Sequence, residues 1–272
     1  MTTTVARQSS VAAPVGFRAA LGSEWIKLSS LRSFRLTLLI GSAVGIGLAA
    51  LLAWAVILTW REWPAEELAA FDPVESATIG TIATTILFAV LGVTAVTSEY
   101  GSRMIMLTLT ATPRRGRILA AKLIVVCVAT TVASLVAVVG MVAVFRLIVA
   151  GQDLPGSTAG DTVRTVLAAG LLAWVLPYLA VCLATAIRSA AGTVAAILAL
   201  VFLPAIVTPL LPSWWRDEGQ RYLVGNAADS LTFGSGADAE LYLSRPVAVL
   251  VLGLWLAAFT ALAYAVLQRR DA

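Results

Sequence analysis

PRRGRILAAKLIVVCVATTVASLVAVVGMVAVFR, residues 113–146, sets three arginines and a lysine ahead of a run that carries no further charge until Arg146. The apolar part, about 123–146, is long enough to cross a bilayer core, which takes roughly 20 apolar helical residues. Five further stretches of the same kind lie at about 36–60, 76–97, 165–187, 190–211 and 246–267. The segments between them alternate in charge. On one side of the resulting zigzag fall Arg7, Arg18, Lys27, Arg32, Arg35, Arg103, Arg114, Arg115, Arg117, Lys122, Arg188, Arg269 and Arg270, with only Glu24, Glu99 and Asp271 of the 15 acids. Cytoplasmic loops accumulate Lys and Arg, so this side is placed inside together with both termini. The chain reads as an all-α integral membrane protein with six spans, running from residue 16 to 272 behind a tail, 1–15, whose Thr, Ser and Ala predict disorder.

Composition excludes several classes of function. With 60% hydrophobic residues, 12% charged and a mean hydropathy of +0.92, this is no ordinary soluble domain. The net charge of +4 sums two opposed faces. Arginines beside span ends suit anionic lipid or an acidic partner, and no nucleic-acid motif is present. Histidine is absent, which removes His-based acid–base chemistry and His metal ligands. Cys127 and Cys182 both fall inside spans without CxxC spacing and read as small buried apolar groups. Lys27 and Lys122 are the only lysines among 19 basic residues, a bias that points, with the Ala, Val and Leu content, to a GC-rich bacterial genome. Residues 1–34 are too long and polar to precede a standard signal core, so the first stretch is expected to be a retained span.

Ahead of that span, Phe17, Leu21, Trp25, Leu28 and Leu31 recur at helical spacing, with Arg18, Glu24, Lys27 and Arg32 on other faces. This predicts an amphipathic helix in the inner membrane interface. Within the span, Gly41, Gly45, Ala49 and Ala53 form a stripe of small residues that predicts close approach of a second helix. Trp54, Trp60 and Trp63 mark its outer aromatic belt. The second span is rich in hydroxyls, and Thr78, Thr81 and Thr85 share a face that Phe88 and Gly92 continue. Such hydroxyls either bond back to their own helix or line a polar path, and both readings stand.

Between the second and third spans comes SEYGSRMIMLTLTATPRRGR, residues 98–117. Gly101 and Pro113 bracket Met104, Leu107 and Leu109, which predicts a short cytoplasmic helix along the membrane. Pro177 predicts a kink in the fourth span, and Arg188-Ser189-Ala190 a very tight connection to the fifth. Residues 212–245, with Trp214, Trp215, Tyr222, Phe233 and Tyr242, are expected to form short surface or partly re-entrant helices. A Walker A pattern is absent, and no ionisable residue lies near mid-span, so any transport would draw its energy from another subunit.

These features resemble the membrane permease subunit of a type-2 ABC exporter, particularly the actinobacterial kind. The likeness rests on Ala20 to Arg35 with Glu24-Trp25-Ile26-Lys27-Leu28, on Thr97-Ser98-Glu99-Tyr100-Gly101, and on Thr112-Pro113-Arg114-Arg115-Gly116-Arg117 before Lys122. It implies a multi-pass subunit of the bacterial cytoplasmic membrane that forms a translocation path with a second copy or a sister permease. Separate cytoplasmic ABC ATPase subunits would hold ATP and Mg, and this chain would bind no cofactor. By the same resemblance the segment after the second span is a coupling helix, so that Glu99, Tyr100, Gly101, Arg103, Pro113, Arg114, Arg115 and Arg117 would dock on the ATPase. The second and fifth spans would face the path, which places Thr78, Thr81, Thr85 and Phe88 along it. A non-transporting membrane anchor or sensor that recruits a cytoplasmic partner fits the same topology. A polytopic enzyme fits least, for want of convergent polar groups.

Overall fold

The computed structural model describes residues 16–101, 115–152, 154, 158–233 and 242–269. The tail 1–15 and the expected coupling helix, with Arg103, Pro113 and Arg114, lie outside the described residues. Helix α1 (Phe17–Ser30) leads through Leu31 into α2 (Arg32–Thr59). Two short helices, α3 (Ala65–Ala70) and α4 (Pro73–Ala77), precede α5 (Thr81–Gly101). Then come α6 (Arg115–Val149), α7 (Ala159–Leu172), α8 (Val175–Ile187), α9 (Ala190–Val207), α10 (Ser213–Asp217), α11 (Val224–Phe233) and α12 (Arg245–Arg269). No strand occurs among the described residues. Six helical segments are long and apolar enough to cross a membrane: Arg32–Glu62, Pro73–Tyr100, Arg115–Val149, Ala159–Ile187, Ala190–Leu210 and Arg245–Arg269. Each overlaps one of the six stretches read from the sequence.

Local chemistry explains the breaks. Asp72 caps α4, accepting from the Val74 and Glu75 N–H groups at 2.7 and 3.3 Å, with Pro73 at the first helical position. The fourth span divides into α7 and α8 at Ala173–Trp174. Pro177 lies four residues beyond Ala173, where its ring removes a donor and crowds that carbonyl, as the kink reading expected. Arg188 adopts a left-handed conformation (φ 60°), and its N–H closes on the Ala184 carbonyl. Ser189 then caps α9 by accepting from the Gly192 N–H. This turn accounts for the tight connection between antiparallel neighbours.

Two expectations need correction. The helix that carries the third apolar run begins at Arg115, so Arg115 and Arg117, read with the segment before that run, are on α6 together with Lys122. A helix can extend past its apolar run where the charged side chains find partners, and these do. The apolar stripe proposed for α1 also divides. Ala20, Glu24 and Leu28 face the bundle, Phe17 and Trp25 point outward, and Leu31 is the extended residue between α1 and α2. A carboxylate thus occupies the buried face because cations meet it there.

Small residues set the packing between α2 and its neighbours. Gly41, Gly45, Ala49 and Ala53 are all buried, as the stripe predicted. Phe88 seats on Gly41, and Thr84 Oγ1 donates to the Gly41 and Gly80 carbonyls at 3.0 Å each. A Cβ at Gly80 would collide with the Gly45 backbone, so the two chains touch main chain to main chain. Gly47, on the outward face of α2, has nothing within 4 Å of the same position. Gly80→Ala is therefore expected to destabilise the chain by roughly 1–3 kcal/mol, as overpacking does. Gly47→Ala should be neutral or raise the melting temperature in detergent. Equal melting temperatures for the two variants would contradict the close approach.

Candidate functional site: a buried ion network and an apposed cavity

At one end of the bundle four charges meet. Glu24 and Lys27 come from α1, one turn apart, Glu99 from the last turn of α5, and Lys122 from α6. Lys27 Nζ donates to Glu24 Oε1 and to Glu99 Oε1, both at 2.6 Å. Lys122 Nζ donates to Glu24 Oε2 at 2.7 Å and to Glu99 Oε1 at 2.9 Å. Carboxylate and ammonium alternate around a closed ring of zero net charge. The third proton of Lys122 goes to the Ala95 carbonyl at 2.8 Å, so all its donors are used. Glu24, Glu99 and Lys122 are buried, and Lys27 alone keeps an edge in solvent. Val96, Leu119 and Leu267 lie beside Glu99 and Lys122, within a buried apolar cluster that also takes in Leu28, Phe34 and Leu123.

Such a ring is held together by what its separation would cost. An ion moved from water into a packed apolar setting loses several kcal/mol of solvation, which only close opposite charges and hydrogen bonds offset. Removing one partner leaves another ion uncompensated. For Glu24, burial works against the charged form, but Lys122 and Lys27 outweigh it and hold the carboxyl below its ordinary 4.5. For Lys27, burial likewise opposes the charge, and Glu24 and Glu99 outweigh it to lift the ammonium above 10.5.

The remaining residues of the expected docking segment have diverse positions. Tyr100 lies beneath the Arg188 guanidinium, 5.1 Å from the ring centroid, which joins the end of α5 to the α8–α9 turn. Gly101 ends α5. Arg115 donates to the Leu267 carbonyl at 2.7 Å and so fastens the start of α6 to the end of α12. Arg117 is half-buried on the first turns of α6. Glu99, read as a docking residue, is 3% exposed, and its carboxylate faces the two lysines. The ring itself was not anticipated. Its signal was there: Glu24 and Glu99 are acids on a face nearly free of acids, and the two lysines are the only ones in the chain.

At the opposite end of α5 lies a cavity of about 300 Å³, walled by α5, the α7–α8 junction, α9 and α11. Thr81 and Thr85 line it, but Thr78 and Phe88 do not. Thr78 is buried in the turn before α5, its hydroxyl on the Glu75 carbonyl, and Phe88 is occupied with Gly41. The two lining threonines also bond back to their own helix, Thr81 to the Thr78 carbonyl at 2.6 Å and Thr85 to the Thr81 carbonyl at 2.9 Å. The back-bonding reading therefore holds for both side chains, which also border the cavity. Helix α11 closes the cavity with Asn226, Asp229 and Thr232. It is fixed by its neighbours: Trp255 Nε1 donates to the Tyr222 carbonyl just before it, and the Leu243 N–H to Ser230 Oγ within it. Asp229 lines the cavity with an exposed side chain, and the loss of part of its hydration to the surrounding protein pushes its carboxyl up to about 6.

A family model described as ABC-2 family transporter protein matches residues 20–205. The match takes in all four residues of the ion ring and the α5, α8 and α9 walls of the cavity, and ends before α11. No curated protein matches the chain.

Lys122→Met is expected to destabilise the chain by about 3–5 kcal/mol, the usual cost of breaking a buried pair from one side. Adding Glu24→Gln should return part of that loss, measured by unfolding in detergent; full native stability in Lys122→Met would contradict the ring. The pH dependence follows from the shifts. The contribution of Glu24 is present above 4.5 and is lost as pH falls through its lowered value, and that of Lys27 is present below 10.5 and is lost as pH rises through its raised value. The contribution of Glu24 and Lys27 should therefore stay flat between about pH 5 and 9. A titration, within that window, of the difference in stability between the chain and its Glu24→Gln/Lys122→Met variant would show that another ionisation governs the joint.

Proposed function

The chain belongs to the ABC-2 transporter family and is a transmembrane component of an ABC transporter, and from that premise we propose that it is the permease half of an ATP-driven exporter whose ATPase is a separate cytoplasmic subunit. The observation that carries this reading is the placement of the ion ring. Glu99 stands in the last turn of α5 on one side of the segment 102–114, and Lys122 stands on α6 on the other side, with α1 clamped between them. A partner that pushed on that segment would move α1, α5 and α6 as a unit, because the charges cannot part.

In this mechanism the ATPase docks on the segment around Arg103, Pro113 and Arg114. Glu99 acts one step inward, passing displacement to α5. Tyr100 with Arg188 and Arg115 with Leu267 extend the same joint to α8, α9 and α12. Helix α5 then carries motion to Thr81 and Thr85 at the cavity, which we assign to the cargo path. A second permease copy completes the path. The α9 span supports that part of the reading, since it buries the smallest share of its surface of the six. ATP and Mg belong to the partner, and the termini to the cytoplasmic side of a bacterial membrane.

Affinity purification of the full chain from its native membrane, followed by mass spectrometry and an ATPase assay, tests this. The account expects an ATPase subunit whose turnover depends on the chain. It also expects Glu99→Gln to retain that subunit while its dependence on the chain falls at least about five-fold, the lower range of coupling between sites. Recovery with a partner that hydrolyses no ATP would favour an anchor over a permease.

A further inference from the structure

The cavity beneath α11 has a polarity of one kind. Thr81 and Thr85 have committed their hydroxyl protons to backbone carbonyls of α5 and the turn before it, and Thr232 has committed its own to the Ala228 carbonyl. A hydroxyl whose proton is engaged offers only lone pairs to a visitor. Asn226 spends an amide proton on the Gln220 carbonyl at 2.9 Å and adds its side-chain oxygen. Asp229 contributes a carboxylate, and it is the one ionisable group among the described lining residues. It has no ion pair or hydrogen-bond partner among the described residues. The rest of the wall is aliphatic, from Leu172, Leu176 and Leu179 to Leu200, Val201 and Pro204.

An acceptor-lined, largely apolar cavity with one unpaired carboxylate on its wall selects its occupant by charge. A neutral apolar molecule would displace water from the carboxylate and give it no partner in return, and an anion would be repelled. We propose that the cavity receives a protonated amphiphilic amine, its ammonium set against Asp229 and the threonine oxygens and its apolar body against the α8 and α9 wall. This rests on the assignment of the cavity to the cargo path and names the class of molecule that passes. The volume of about 300 Å³ suits a small aryl-alkyl body, at the lower end of ligand pockets.

Three probes of nearly equal shape test it: phenylbutylammonium, phenylbutanol and phenylbutanoate. Their binding to the purified full chain is measured by calorimetry in mild detergent. The ammonium is expected to bind at least about tenfold more tightly than the alcohol, with the carboxylate weakest. Asp229→Asn should bring the ammonium to the level of the alcohol and leave the alcohol unchanged. Gly225→Trp supplies the second arm, because Gly225 lines the cavity and a Cβ there meets nothing within 4 Å, so a large side chain can leave the backbone at this wall. It should weaken all three probes. If Gly225→Trp blocks the probes while Asp229→Asn keeps the ammonium preference, the cavity stands as a binding site and the selection of amines is overturned. If Gly225→Trp changes nothing, the cavity is not the site, and its assignment to the path falls with the proposal.

Discussion

Four interlocked charges, three of them buried, govern the arrangement of this protein. Glu24, Lys27, Glu99 and Lys122 come from three helices, and each ammonium bridges two carboxylates. In an apolar setting the electrostatic cost of opening such a ring is steep, because each ion released is an ion left unsolvated. The consequence is mechanical. Helix α1, which carries no long apolar face of its own, is held against α5 and α6 by charge as much as by Ala20 and Leu28. Dispersion forces are similar at many relative positions of two helices, whereas an alternating ring of charges has one register.

The opposite end of the bundle is organised by shape. There α2 and the turn before α5 touch through glycine backbone, and α11 folds back against α7 and α12. Helix α5 is the element common to both ends. From Thr81 to Gly101 it runs for 21 residues, about 30 Å at the α-helical rise. It carries Glu99 in the ring and Thr81 and Thr85 in the cavity wall. Whatever displaces one end of a continuous helix displaces the other, so the proposed transmission needs no long relay of side chains. Pro177, by contrast, divides the fourth span beside the cavity and gives that wall a break at Ala173–Trp174.

Much of this architecture was legible in the sequence because the bilayer constrains it so strongly. Apolar length and the bias of basic residues give six spans, Pro177 gives the break, and Gly41, Gly45, Ala49 and Ala53 give the contact face of α2. The ring was harder to read because it joins residues far apart in the chain, and periodicity speaks only of neighbours. Glu24 was placed on a face of α1 other than the apolar stripe. It is buried because Lys27 and Lys122 arrive together beside it. The start of α6 at Arg115 was missed for a related reason: charged residues read as loop when their partners, such as the Leu267 carbonyl, lie in another segment. In the cavity, the hydroxyl face of the second span was half legible. Spacing put Thr78, Thr81, Thr85 and Phe88 on one stripe, but the helix begins only at Thr81 and Phe88 turns to fill the space left by Gly41. Asp229 drew no notice, since one acid in a polar external segment has no signature until α11 is folded against the spans.

The most direct measurement is hydrogen–deuterium exchange of the α1 amides, residues 17–30, in the full chain and in its Lys122→Met variant. If the ring holds α1 in register, loss of Lys122 will speed exchange across α1 while the amides of α2 beyond Gly41 keep their protection. Unchanged protection of α1 in the variant would mean that packing alone fixes the helix, and the ring would lose its place as the joint between the segment 102–114 and the spans.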